Sequence, residues 1–199
     1  MGVAEVLFPF PERIETIRSV RSTLLLSSFA SIRDAGHEEA YRSSLRKDLA
    51  AAVIDSVAGM WLPVEVGIAH YAACDALRLA PEREVEIGRG VGNKIRGTLL
   101  GTVVRMAKGA GLTPSAVIPQ FPRFWSRAFE GGGMGATIAG PKEILLSVQK
   151  VPFAEYHYFR NALRGVAMGV LDLFCTKVYM TETKAPRAEG TICFRVQWA

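Results

Sequence analysis

Cysteine is scarce in this chain: Cys74, Cys175 and Cys193 are widely spaced and form no CxxC pair. An odd, sparse set of this kind argues against a disulfide framework and reads as reduced thiols in a cytoplasmic protein. Long apolar runs are missing as well. No uncharged stretch approaches the roughly 18 apolar residues of a bilayer-crossing helix, so no membrane span is expected. The N-terminus, MGVAEVLFPFPERIE, lacks a basic start and a small-residue cleavage site, which argues against a secretory signal. Gly2 invites acylation, but Val6 stands where that motif wants Ser or Thr. Blocks of like charge are also absent. The net charge is +5, yet Arg and Lys are scattered from Arg13 to Arg195. Without a basic stripe no nucleic-acid partner is expected. Paired carboxylates do not occur as a local motif. Glu38-Glu39 and Glu82, Glu84 and Glu86 read as solvated helix starts, so no acid–base mechanism can be written and the chain is not read as an enzyme.

What is present is a globular composition, 49% hydrophobic and 22% charged over 199 residues. A chain of this size buries roughly 70% of its unfolded surface, which one domain achieves without staples. Residues 1–17 read as an irregular segment, because the prolines of LFPFPE forbid a regular helix. Residues 18–199 read as a single domain. Helices are expected at about Val20–Ala35 with Ser19 as N-cap, His37–Leu45, Asp48–Gly59 capped by Asp48, Val64–Leu79 and Pro81–Lys108. Trp61-Leu62-Pro63 reads as a break. Thr113-Pro114 starts a short helical turn, and Pro122 opens a helix that runs to Phe129.

After Glu130-Gly131-Gly132-Gly133 the hydrophobic period changes. Met134–Ala139 and Glu143–Val151 read as strands joined by Gly140-Pro141-Lys142. Phe153–Cys175 reads as a helix, with Phe159, Leu163, Val166, Val170 and Leu173 on one face. Ala162, Gly165 and Gly169 form a small-residue strip on another face. Each glycine costs roughly 1 kcal/mol of helix propensity, so close packing is expected to compensate. Lys177–Thr183 and Thr191–Trp198 complete the strands, the last alternating cleanly from Ile192 to Trp198. The fold class is therefore α+β, with N-terminal helices packed on a four-stranded antiparallel ββαββ sheet.

FPRFWSRAFEGG (121–132), GPKE (140–143), YFRNALRGVAMGVLDL (158–173) and EGTICFRVQW (189–198) carry a resemblance. This helix–GG–ββαββ layout resembles the 4-vinyl-reductase domain, whose fold is shared with TRAPP-type trafficking subunits and haem-NO-binding domains. It is most similar to a paralogous family, a domain of unknown function, abundant in myxobacteria. The resemblance implies an apolar small-molecule pocket between helices and sheet, and a homodimer or protein partner. Vinyl-reductase relatives imply a zinc site with two C-terminal cysteines. Here Cys193 falls near one position and Ala185 occupies the other, so no metal is expected. The haem-binding branch implies a proximal histidine and a Tyr-x-Ser-x-Arg clamp. Tyr41-Arg42-Ser43-Ser44-Leu45 comes nearest and lacks the arginine, so no cofactor is expected.

Several residue groups carry a functional and a structural reading side by side. Gly88-Arg89-Gly90-Val91-Gly92 suggests a phosphate loop, but it lacks a preceding strand. Gly90, Gly97 and Gly101, with Asn93, instead mark a small face for helix packing. His70 and Cys74 share a helical face, as a dyad or as a buried thiol beside a bonded histidine. His157 lies between Tyr156 and Tyr158, as part of a ligand-facing cluster or as an amphipathic helix boundary. Phe121, Phe124, Trp125 and Phe129 form an aromatic stripe that is core or pocket wall. The expected ligand-binding residues are Trp125, Phe129, Tyr158, Phe159 and Leu163. The expected function is small-molecule sensing or protein interaction, with a pure scaffold assembling through helix faces, or a tetrapyrrole vinyl reductase, as alternatives.

Overall fold

The structure is a computed structural model and describes residues 5–95, 113–184 and 190–199. The C-terminal half forms the main sheet. Strands β5 (Gly133–Gly140), β6 (Glu143–Gln149), β7 (Val178–Thr183) and β8 (Ile192–Trp198) are antiparallel to their neighbours. A fifth strand, β1 (Glu5–Phe8), pairs antiparallel with β5, so the sheet runs β1-β5-β6-β8-β7. The sheet thus has five strands where four were expected, and the segment expected to be irregular supplies the extra one. The prolines at 9 and 11 follow the strand instead of interrupting it, and an edge strand needs only one row of hydrogen bonds.

Strict alternation decides which face is inside. Ile144, Leu146 and Val148 of β6 and Ile192, Phe194 and Val196 of β8 are all buried, while Arg195 and Gln197 are exposed. Register stacks them in rows: Ala136, Leu146 and Phe194 form one, and Ile144, Val196 and Met180 another. On the opposite face Gly133 and Gly135 leave room for the N-terminal segment. A Cβ on Gly135 would strike the Phe10 ring, and one on Gly133 would meet Ile14.

A second, small sheet joins three short strands in the order β3-β2-β4. They are β2 (Ser19–Arg21), β3 (Trp61–Pro63) and β4 (Phe129–Glu130). This corrects two expectations. Ser19 belongs to a strand and caps no helix, and Trp61-Leu62-Pro63 is a strand. Tertiary pairing around the fully buried Val20 overrides the local helix pattern. Helix α1 therefore begins at Ser22 and ends at Asp34. The Ser22 hydroxyl donates to Val57 O (2.7 Å) and accepts from the Met60 N–H (3.0 Å), tying down the loop before β3.

The remaining helices are α2 (Glu38–Ser44), α3 (Ala50–Ile54), α4 (Val64–Asp75) and α5 (Pro81–Ile95). They continue with α6 (Pro114–Val117), α7 (Phe121–Ala128) and α8 (His157–Leu171). Helix α3 is much shorter than expected, and Asp48 does not cap it. Its carboxylate is held by Arg46 at 2.6 Å, which withdraws it from the helix start. Helix α4 ends at Asp75, and Arg78 shortly beyond it takes a left-handed backbone with φ of 49°. The Asp75 carboxylate accepts the Tyr158 N–H (2.8 Å). It thereby satisfies one orphan donor at the N-terminus of α8, where no side chain caps locally.

Helices α5 and α8 lie backbone to backbone. A Cβ on Gly88 would collide with the Ala162 carbonyl, and one on Gly165 with the Val85 carbonyl. The small-residue strip of α8 therefore does meet a helix, but through Gly88 and Gly92. Gly90 faces Ser31 of α1 instead, and Gly97 and Gly101 lie outside the described residues. Arg89 and Asp172 form an ion pair across the α5–α8 contact.

Candidate functional site: an apolar cavity beside a buried polar network

Between the helices and the core face of the main sheet lies a cavity of about 130 Å³. The sheet contributes Met134, Leu146, Val148, Met180 and Phe194 to its wall. Helix α8 contributes Phe159, Ala162, Leu163, Val166 and Val170, whose three- and four-residue spacing keeps one face inward. The aromatic stripe of α7 closes another side with Phe121, Phe124 and Trp125, followed by Phe129 of β4. Trp125 and Phe129 meet at 4.5 Å between centroids with their planes tilted by 43°, and the Trp125 indole N–H donates to Gly131 O (3.0 Å). Besides Trp125, the side chains with nitrogen or oxygen atoms on the described wall are Arg21, Ser28 and Tyr71.

Four of the five residues expected from sequence, Trp125, Phe129, Phe159 and Leu163, line this cavity. Tyr158 does not. It is fully buried, and its hydroxyl lies 3.2 Å from Ser28 Oγ in an adjoining network. Adjacent helical positions point about 100° apart, so Tyr158 and Phe159 cannot share one wall. Residues missed by sequence reasoning are Ser28, Tyr71 and the inward sheet positions. The strand alternation could have indicated the last group. Helix α4 is apolar on nearly all faces, so no stripe singles out Tyr71.

The adjoining network connects four helices. Tyr41 OH lies 2.7 Å from His70 Nδ1, and His70 Nε2 lies 2.9 Å from Ser28 Oγ. Cys74 Sγ lies 3.6 Å from the same Nε2. One consistent proton arrangement has Tyr41 donating to Nδ1, Nε2–H to Ser28 and Ser28 to Tyr158. Burial holds the imidazole neutral, pushing His70 down to about 3. Burial likewise pushes the Tyr41 and Tyr158 phenols and the Cys74 thiol up. His70 and Cys74 are thus neighbours, as their spacing suggests, but an activated dyad needs thiolate and imidazolium, and burial disfavours both.

The other candidates are dispersed. His157 is exposed at the start of α8, where its Nδ1 accepts from Arg160 Nη2 (2.8 Å). Cys193 Sγ lies 3.1 Å from Ser147 Oγ, on the sheet face away from the helices. Among the described residues no group of three His, Cys, Asp or Glu side chains could hold a metal ion. No helix among them is long and apolar enough to cross a membrane.

No family model matches the chain, and no curated protein matches it. Solved structures do. An oxygen-binding H-NOX domain related to soluble guanylate cyclases superposes with a TM-score of 0.60 at 14% identity, covering 89% of this chain and 94% of that one. An Fe(II) unliganded H-NOX protein variant from K. algicida gives 0.61 at 8% identity, covering 90% and 96%. An H-NOX variant from T. tengcongensis gives 0.56 at 15% identity, covering 89% and 97%. The chain therefore has the mixed helix and antiparallel-sheet fold of H-NOX domains, in line with the haem-NO-binding branch of the sequence resemblance.

The residues present do not fit haem. A cavity of about 130 Å³ falls below the roughly 300–1,000 Å³ usual for sites of small molecules and cofactors. Haem iron also needs an axial donor. The chain has three histidines, and none lines the described wall: His70 has both nitrogens engaged, His157 is exposed, and His37 precedes α2. None of the three cysteines lines it either. Burial raises the Tyr71 phenol, which opposes a phenolate ligand.

Proposed function

We propose that this chain is a haem-independent sensing module that holds a small apolar molecule in the cavity between helices and sheet. It passes that occupancy to a second copy of itself or to another protein. The observation that carries this reading is the wall itself: side chains from the sheet, α7 and α8 converge on one apolar space where a packed core would leave none. The H-NOX fold supports it further, because those neighbours are described as haem- or oxygen-binding domains. The module binds and does not catalyse, since no acid–base pair or activated nucleophile comes together among the described residues of the cavity wall. A cytoplasmic setting belongs to the same proposal, supported by three free thiols. So does kinship with vinyl-reductase, TRAPP-subunit and myxobacterial proteins, supported by the helix–GG–ββαββ pattern.

Native mass spectrometry of freshly purified protein tests the reading, because it reports bound mass and subunit count together. The expected result is a bound or exchangeable small molecule much lighter than haem, and no Soret band after haemin is added. Stoichiometric haem uptake, or failure to take up any small apolar compound, would sink it.

A further inference from the structure

Tyr71 is only 4% exposed and lines the cavity. Its ring is packed on three sides, with centroids 5.0 Å from His70, 4.8 Å from Phe153 and 4.8 Å from Phe159. Its hydroxyl has no hydrogen-bond partner among the described residues. Buried phenols ordinarily find one, because leaving the group unpaired costs its desolvation.

The other polar groups of the wall are occupied. Ser28 Oγ is shared between His70 Nε2 (2.9 Å) and Tyr158 OH (3.2 Å). Arg21 donates to Gly59 O (2.7 Å) and lies 3.7 Å over the Trp61 ring. One polar atom is therefore free in an otherwise apolar space. That pattern selects a ligand with a single hydrogen-bonding group, and an uncharged one, because Arg21, the charged residue of the described wall, has its guanidinium turned to the Gly59 and Arg127 carbonyls and the Trp61 ring. Volume sets the scale: a dry cavity of about 150 Å³ accepts benzene, and this one is about 130 Å³.

We propose that the cavity recognises a small, uncharged, single-ring molecule bearing one hydroxyl, and that the Tyr71 hydroxyl is the group that pairs with it. This rests on the sensing-module reading and adds the ligand's chemical class to it. Tyr71 both donates and accepts, so a ligand hydroxyl can be held in either sense. Phe159 and Trp125 supply aromatic faces for the ring.

The test is a cycle of two probes and two proteins, with phenol and benzene titrated into the wild type and Tyr71→Phe by calorimetry or ligand-observed NMR. The expected result is that both probes bind the wild type, and that the preference for phenol relative to benzene drops at least about fivefold in Tyr71→Phe. An unchanged ratio with benzene still bound would overturn this inference and leave the apolar-cavity reading standing. If neither probe binds either protein, both fall. A Tyr71→Phe protein that does not fold would also overturn the inference, because it would mean that the hydroxyl already has an essential partner.

Discussion

His70 and Tyr71 are neighbours on α4 and both buried, yet their polar atoms meet opposite fates. His70 has a partner for each ring nitrogen, Tyr41 from α2 and Ser28 from α1. The Tyr71 hydroxyl has none among the described residues, and its side chain meets aromatic rings and the cavity. The difference lies in what each face of the helix encounters. A buried polar group that is fully paired reports on architecture, whereas one left unpaired beside a cavity points to recognition. The first half of that contrast explains why the His70–Cys74 pair is structural, and the second why Tyr71 is the better candidate for function.

The largest expected effect comes from breaking the paired side. His70→Ala removes a fully buried ring and strands the Tyr41 hydroxyl, so it should lower unfolding free energy by about 4 kcal/mol in urea denaturation. A loss below about 1 kcal/mol would show that the network is not a structural unit.

Acid should act on the same residue. Burial holds His70 near 3, below its ordinary 6.5, so the unfolded chain takes up a proton that the folded chain refuses. That contribution is whole above about pH 6.5 and is lost as pH falls toward 3. Between pH 7 and pH 5 it should amount to about 2 kcal/mol. Burial also raises the Glu84 carboxyl, which works in the opposite direction as acid is added. The readout is therefore the difference between wild type and His70→Gln, which share Glu84. Parallel stability curves for the two proteins would refute the assignment.

Tyr158→Phe should cost about 1.5 kcal/mol, because it removes a buried hydroxyl paired with Ser28 while keeping the ring. Tyr71→Phe should fall within about 0.5 kcal/mol of wild type or be slightly more stable, since it deletes a group with no described partner. Thermal unfolding of the two single variants side by side gives the sharpest form of the comparison. Equal losses would erase the distinction between paired and unpaired phenols.

The legible parts of the sequence were those with an uninterrupted period. Ile192, Phe194 and Val196 alternate with Cys193, Arg195 and Gln197, and only a strand buries one set and exposes the other. Phe159, Leu163, Val166 and Val170 recur at helical spacing, and all but Tyr158 of the expected site residues reached the cavity. β1 was illegible because Glu5–Phe8 has no alternation of its own and becomes a strand only along the free edge of β5. The start of α1 was misplaced because Ser19 and Val20 carry a plausible cap and helix face, while pairing with β3 and β4 decides otherwise. The asymmetry between His70 and Tyr71 left no trace in local pattern, since α4 is buried on nearly every side.

The chain's own pattern of apolar and polar residues determined the α+β class, the strands after Gly133 and the inward face of α8, because period is a local property that needs no partner to be read. Tertiary structure alone decided the fifth strand, the narrow cavity, the full pairing of His70 and the lack of a partner for the Tyr71 hydroxyl among the described residues. Each of those depends on which distant side chains arrive within about 3 Å, the reach of a hydrogen bond, and such distances are set only when the helices close over the sheet.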